Sequence, residues 1–281
     1  MTVATLAEAA AIEALEARAW EDLVAACPPG HAARIGLEAR WCGAVLVVRC
    51  PGGGFDRGLF NRPIGLGVVE PATRAAVADI ADGLAATGAT RSMLVSQPQC
   101  APAGYAGWLA ELGLEPHGTW DRVVRDGAPL AAGDGGSGER EIAVSLVGPD
   151  EVEEWSELLA AAYRLDAGPW LRALPGRPGW RHYLAREHGR AVAARSMFLP
   201  AAGAVAFLAV DGPVPGVMTA DYGPDAAILA RIAADGLRLG AAGFAADIEA
   251  PSPARDTPAY ATFGRLGFRI PYTRTHHTRG R

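Results

Sequence analysis

The residues most able to do chemistry lie close together near the C-terminal end. In the run GFAADIEA, Asp247 and Glu249 alternate with Ala246 and Ile248. A strand puts residues two apart on one face, so it would present both carboxylates together. Two carboxylates held in a cleft raise the pKa of one of them and make it a general base. The plainer alternative for Glu249 is an exposed strand end, just before Pro251. Asp211, before Gly212 in AVDGPVPG, reads as a turn former.

Other chemistries are excluded by what the chain lacks. All 26 basic residues are arginine and none is lysine, which rules out a Schiff-base lysine, pyridoxal phosphate and a Walker-A loop. There is no G-x-S-x-G elbow, and Gly65 with Gly67 lacks the third glycine of a dinucleotide fingerprint. His276 and His277 are adjacent on a predicted strand and point to opposite faces, while His182 and His188 flank a strand and a turn and read as surface residues. No metal is expected. Cys27, Cys42, Cys50 and Cys100 show no C-x-x-C spacing, which argues against a disulfide or zinc scaffold and for a reducing compartment. A net charge of −5 argues against nucleic acid as a partner. The first residues carry acids and no basic stretch, so no signal peptide is expected, and the apolar run from Ala191 to Val210 is broken by Arg195, Pro200 and Gly203, so no membrane span is expected either. The expectation is a soluble cytoplasmic protein.

The elements that must position these residues occur twice. The tetrapeptide ADGL stands at Ala81–Leu84 and again at Ala234–Leu237, an offset of 153. The stretch from Trp108 to Arg125 resembles that from Thr262 to Arg279, at an offset of 154. The polar, Gly-rich stretch GDGGSGERE separates the copies, giving a domain at 1–130, a linker at 131–141 and a domain at 142–281. Each half reads as a helix (Leu6–Ala26; Glu151–Tyr163), then strands (Arg40–Cys50 and Ile64–Val69; Tyr183–Glu187, Ala191–Leu199 and Val205–Val210). A long helix (Ala72–Thr87; Asp225–Leu239), a strand (Ser92–Ser96; Phe244–Glu249), a short helix (Gly104–Glu111; Pro258–Leu266) and a final strand follow. Glu187-His188-Gly189-Arg190 suits a tight hairpin. The fold class is α/β, with a mixed, mostly antiparallel sheet and helices on both faces.

The run DTPAYATFGRLGFRIPYTRTHH resembles the last helix and closing strand of the GNAT N-acetyltransferase fold, and LARIAADGLRLGAAGFAADIE resembles that fold's central helix and next strand. With its duplication the chain is similar to tandem GNAT proteins, whose first copy is degenerate and whose second copy holds the donor site. The resemblance implies acyl transfer from a pantetheine thioester, on acyl-CoA or an acylated carrier protein, to a small-molecule amine. It implies that main-chain groups of Val205–Val210, with Phe207, Ala209 and Val210, hold the pantetheine arm. It also implies that a loop ending at Gly223 would meet the pyrophosphate. Here that loop departs from the family pattern. Ala220 and Tyr222 replace basic positions, and Asp221 and Asp225 stand where phosphate would lie. Two carboxylates beside a phosphate cost on the order of 1 kcal/mol each at moderate dielectric. Pro224 and Asp225 are also ordinary helix starters, with no ligand required.

In this reading Glu249 is the base, with Asp247 beside it. Tyr260, seven residues before Gly267, is the acid for the thiolate, and Phe263 stands where many single-domain members have their tyrosine. Arg177, Arg181, Arg186, Arg190 and Arg195 form either a basic face for an acidic carrier helix or an ordinary solvated surface. Trp170, Trp180 and Tyr183 would border the acceptor pocket or pack in the core, and Trp41 and Phe60 would line the cleft or an interface. The alternative reading is a GNAT-derived protein that does not use acetyl-CoA, either a small-ligand binding module or a lyase or decarboxylase.

Overall fold

The computed structural model describes residues 3–55, 57–130, 141–212, 223–250 and 257–279. The chain forms two compact units. The first comprises Met1–Asp121, Glu249–Pro251 and Pro271–Arg281, and the second comprises Arg122–Ile248 and Ser252–Ile270.

In the first unit, α1 (Leu6–Ala25) begins at a capping box. Thr5 accepts from the Glu8 N–H, and the Glu8 carboxylate accepts from the Thr5 N–H at 2.8 Å. Short α2 (Pro29–Ile35), not foreseen in the sequence, starts on proline and stops at Gly36, whose φ is 68°. β1 (Glu38–Cys42) and β2 (Val45–Arg49) form an antiparallel hairpin where one strand was expected, because Gly43 turns the chain at φ 62°. β3 (Arg62–Ile64) pairs with β2 and ends before the expected Val69, where Gly65 and Gly67 take φ of 87° and 75°. Ala17 and Trp20 of α1 pack on Leu46, Val48 and Ile64 of this sheet. α3 (Arg74–Ala85), β4 (Leu94–Ser96), α4 (Tyr105–Glu111) and the start of β5 (Leu114–Asp126) follow, and Val77, Leu84, Leu94, Tyr105 and Leu109 share a core.

β11 (Arg269–Arg279) departs from the expected halves. Although it ends the second sequence copy, its residues from Pro271 onward belong to the first unit, where it pairs antiparallel with β4 through Thr275↔Ser96, His276↔Val95 and His277↔Leu94. Conversely, the end of β5 belongs to the second unit, where Arg125 Nε donates to the Leu266 carbonyl at 2.7 Å.

In the second unit, β6 (Ile142–Leu146), unforeseen in the sequence, precedes α5 (Val152–Tyr163) and one-turn α6 (Gly168–Leu171). β7 (Trp180–Glu187), β8 (Arg190–Phe198) and β9 (Val205–Gly212) continue an antiparallel meander from β6, and β10 (Gly243–Ala250) then joins β9 in parallel. The β7–β8 turn forms as expected, with His188 and Gly189 both at positive φ, as a two-residue hairpin of this hand requires. α7 (Gly223–Arg238) connects β9 to β10, and α8 (Pro258–Arg265) follows β10. Strand alternation sends neighbouring side chains to opposite helices. Tyr183 donates to Asp235 of α7, while the adjacent His182 ring lies 4.6 Å from Trp155 of α5. Helices therefore cover both faces, and Ile228, Leu229 and Ile232 of α7 share a core with Leu208, Phe244, Ile248 and Phe263.

At Gly236, α7 packs closely on the sheet. A Cβ there would lie 2.5 Å from the Phe244 ring and 3.2 Å from Met197 Sδ. Gly236→Ala should cost about 1–3 kcal/mol by overpacking, despite alanine's better helix propensity. Urea unfolding measures it, and an unchanged or raised midpoint would contradict this packing.

Candidate functional site

The site begins with an interruption of the sheet. β9 and β10 pair in parallel only through Val205↔Gly243, Ala206↔Phe244 and Phe207↔Ala245. Further along β9 the register against β8 also slips. Ala209 opposes Ser196 and Gly212 opposes Ala194, so Val210 and Asp211 together face the single residue Arg195. This is a β-bulge, and Val210 adopts a φ of 51° in it. A β-branched residue in that region costs on the order of 1–3 kcal/mol unless its surroundings enforce it. The bulge turns the main chain of β9 where its pairing with β10 has ended.

Two sets of contacts hold the bulge. On the α5 face, Ser196 Oγ donates to the Val210 carbonyl at 3.4 Å and shares a 2.7 Å hydrogen bond with His182 Nδ1. His182 was expected at the surface. Its place in β7, between Trp155 and Trp180, buries it instead, and burial pulls its pKa down to about 4. A histidine depressed in the folded state stabilises above its unfolded value near 6.5 and loses that contribution as pH falls towards 4. This ring alone should lower unfolding free energy by about 2 kcal/mol between pH 7 and pH 5. Its ring carbon and nitrogen resonances should report the neutral form at pH 5.5; a midpoint near 6.5 would contradict the burial.

On the α7 face stands Arg195. Its Nε and Nη2 donate to the two oxygens of Asp225 at 3.0 and 3.1 Å, and Nη2 also reaches Asp211 at 3.0 Å. Tyr163 donates to the other Asp211 oxygen at 3.4 Å, and the guanidinium lies 5.7 Å from the centre of the Phe263 ring. Burial pushes the Asp225 carboxyl up, and Arg195 opposes that shift. Burial, followed by the charge of Asp211, keeps the Tyr163 phenol protonated. Asp211 is thus part of an ion-pair network and not only the expected turn former.

The expected site residues are placed as follows. Phe207 is buried beneath the guanidinium of Arg122, 5.4 Å from its ring centre, and Ala209 and Val210 are half-buried at the bulge. Gly223 opens α7, with Pro224 and Asp225 in its first turn as expected, while Ala220, Asp221 and Tyr222 lie outside the described residues. Asp247 is half-buried and ion-paired at 3.2 Å to Arg122, whose side chain is 0% exposed. Glu249, two residues on, is exposed. Tyr260, on α8, is half-buried against the core of the second unit. The carboxylates therefore sit in different environments, Asp247 half-buried against Arg122 and Glu249 exposed to solvent.

The five arginines do not form one basic face. Arg195 is buried, Arg186 is ion-paired with Glu151 at 2.7 Å and with Glu154, and Arg181 donates to the Trp180 carbonyl. Arg177 is half-buried, and Arg190 is exposed beside the hairpin turn. Trp170, Trp180 and Tyr183 are core residues, Trp41 is exposed with its indole N–H on Glu21, and Phe60 packs on Phe55. His276 and His277 do point apart, one against the Trp120 ring and one to Ser96 Oγ at 2.7 Å. Among the described residues there is no group of three or more His, Cys, Asp or Glu able to hold a metal.

The first unit has a counterpart of the strand split. The Met93 N–H donates to the Asn61 carbonyl at 3.0 Å, after which β3 and β4 belong to different sheets. Buried charges fill the gap. Glu16 accepts from Arg62 at 2.5 Å and from Arg274 at 2.8 Å, Tyr272 donates to Glu13 at 3.0 Å, and Glu13, Arg62, Gln97 and Arg274 line the small cavity that remains.

No protein-family model matches the chain, and no curated protein matches it. Solved structures do. A GCN5-related N-acetyltransferase from Kribbella flavida superposes with a TM-score of 0.59 at 17% identity, covering 96% of both chains. A second, from Sphaerobacter thermophilus, gives 0.55 at 14% identity over 99% of this chain and 94% of that one. A tandem GNAT protein from the clavulanic acid biosynthesis pathway gives 0.51 at 15% identity over 83% and 81%. With one split strand pair in each unit, the chain has the tandem fold of the GCN5-related N-acetyltransferases.

Proposed function

We propose that the chain transfers an acyl group from a pantetheine thioester to an amine, with the donor arm beside β9. The observation that carries this reading is the end of the β9–β10 register at Phe207 and Ala245, together with the bulge at Val210. A pantetheine arm is a chain of amides. A strand edge whose pairing has ended offers N–H and C=O groups to such a chain without requiring particular side chains. Phe207, Ala209 and Val210 would flank the arm.

In the reaction the amine lone pair attacks the thioester carbonyl carbon, the C–S bond breaks, and the pair leaves on sulfur. Glu249, exposed at the end of β10, takes the proton lost by the ammonium, and the Tyr260 phenol gives one to the thiolate before recovering it from solvent. Asp247, committed to Arg122, enters as a fixed charge. That ion pair is also the observation favouring a binding module without catalysis.

A thiol-release assay with S-acetylpantetheine and a panel of primary amines tests the reading. Glu249→Gln and Tyr260→Phe should each lower kcat by about 10²–10⁴-fold with little change in KM for the thioester. Thiol release at the uncatalysed rate with every amine would leave the binding module as the better account.

A further inference from the structure

The start of α7 carries a consequence for which donors can be used. In an open helix N-terminus the first N–H groups and the helix dipole favour an anion, and a nearby cation strengthens the site. Here the first turn holds a carboxylate, Asp225, and no basic residue; the helix's arginines are Arg231, which pairs with Asp235, and Arg238 in the last turn, which does the same. The cation nearest in contact, Arg195, is engaged three times by Asp225 and Asp211 and covered by Phe263. Two carboxylates meet one guanidinium, so the buried Arg195–Asp225 pair and the partly exposed Asp211 together carry a formal charge of −1 beside the first turn of α7.

We infer that Asp225 is a specificity-determining residue which makes this end of the cleft select donors by charge, accepting the uncharged pantetheine arm and gaining nothing from the diphosphate of acyl-CoA. The inference rests on the pantetheine reading above. Asp225 acts over distance on a phosphate and does not take part in acyl transfer. Removing its charge while keeping its shape leaves Arg195 balanced by Asp211 and the first turn of α7 without an excess carboxylate.

Calorimetric titration of the full chain with pantetheine and with coenzyme A, at low and at high salt, tests this. The wild type should bind the two within about threefold of each other. Asp225→Asn should tighten coenzyme A roughly tenfold at low salt, leave pantetheine within about twofold, and lose the gain at high salt. Asp211→Asn should shift the ratio in the same direction, and it carries the test if Asp225→Asn does not fold. Coenzyme A binding tenfold or more tighter than pantetheine in the wild type would overturn the inference, as would an unmoved ratio in a folded variant. A wild type that binds neither probe overturns the pantetheine reading itself, a different outcome from either of these.

Discussion

Replacing Arg195 with methionine should destabilise the protein by about 3–5 kcal/mol at neutral pH, the cost typical of breaking a buried ion pair from one side. The side chain is 8% exposed and ion-pairs with both Asp225 and Asp211, so its loss leaves two carboxylates in or beside a low-dielectric interior. The pH dependence has a definite sign. Burial already raises the Asp225 carboxyl in the native state. Without Arg195 that rise is unopposed, and a group raised on folding favours the native state most below its unfolded value and least above its folded one. The gap between variant and wild type should therefore narrow as pH falls from 7 to 5, while the His182 contribution cancels because both proteins carry it. Adding Asp225→Leu to the methionine variant should recover much of the loss, since an apolar pair replaces a stranded charge. Urea unfolding at both pH values measures all three effects. A loss under about 1 kcal/mol, or a gap that widens towards pH 5, would contradict the network.

The second large effect belongs to the first unit. Glu16 is 1% exposed and receives both Arg62 and Arg274, whose guanidiniums lie 5.8 and 5.7 Å from the centre of the Trp120 ring. Glu16→Leu removes the acceptor that the two cations share, while Arg274 keeps Glu13 at 3.7 Å. About 3–5 kcal/mol should be lost, and Glu16→Gln should fall between leucine and wild type because it keeps the shape and one acceptor. Equal effects of the two substitutions would mean that packing, not charge, sets the role of this residue.

What could be read in advance follows from which forces are local. The helix from Leu6 and the Glu187–Arg190 hairpin are written in adjacent residues, and both formed close to their expected bounds. Short elements such as β6 and α2 gave too few periodic residues to stand out, although Pro29 and Gly36 do bracket α2. The exchange of closing strands is not local. Nothing in the residues from Pro271 to Arg279 says that β4, about 180 positions earlier, is their partner. Arg195 shows the same limit in the site. Its partners are 16 and 30 residues away, so it read as one of five surface arginines. A signal existed nonetheless, because a lone arginine inside AVAARSMF, where its neighbours on the strand are apolar or small, calls for a buried acid. His182, between Trp180 and Tyr183, carried a similar hint.

The proposed acyl transfer requires a pantetheine arm at the β9–β10 split. Hydrogen–deuterium exchange of the full chain, with and without saturating pantetheine, tests that claim most directly. The expected result is slowed exchange confined to peptides covering Leu208–Gly212 and Ala246–Ile248, with β3 and β4 unchanged because buried charges already fill their gap. Protection that instead falls on Arg62–Ile64 and Leu94–Ser96, or that spares the β9 bulge altogether, would contradict it.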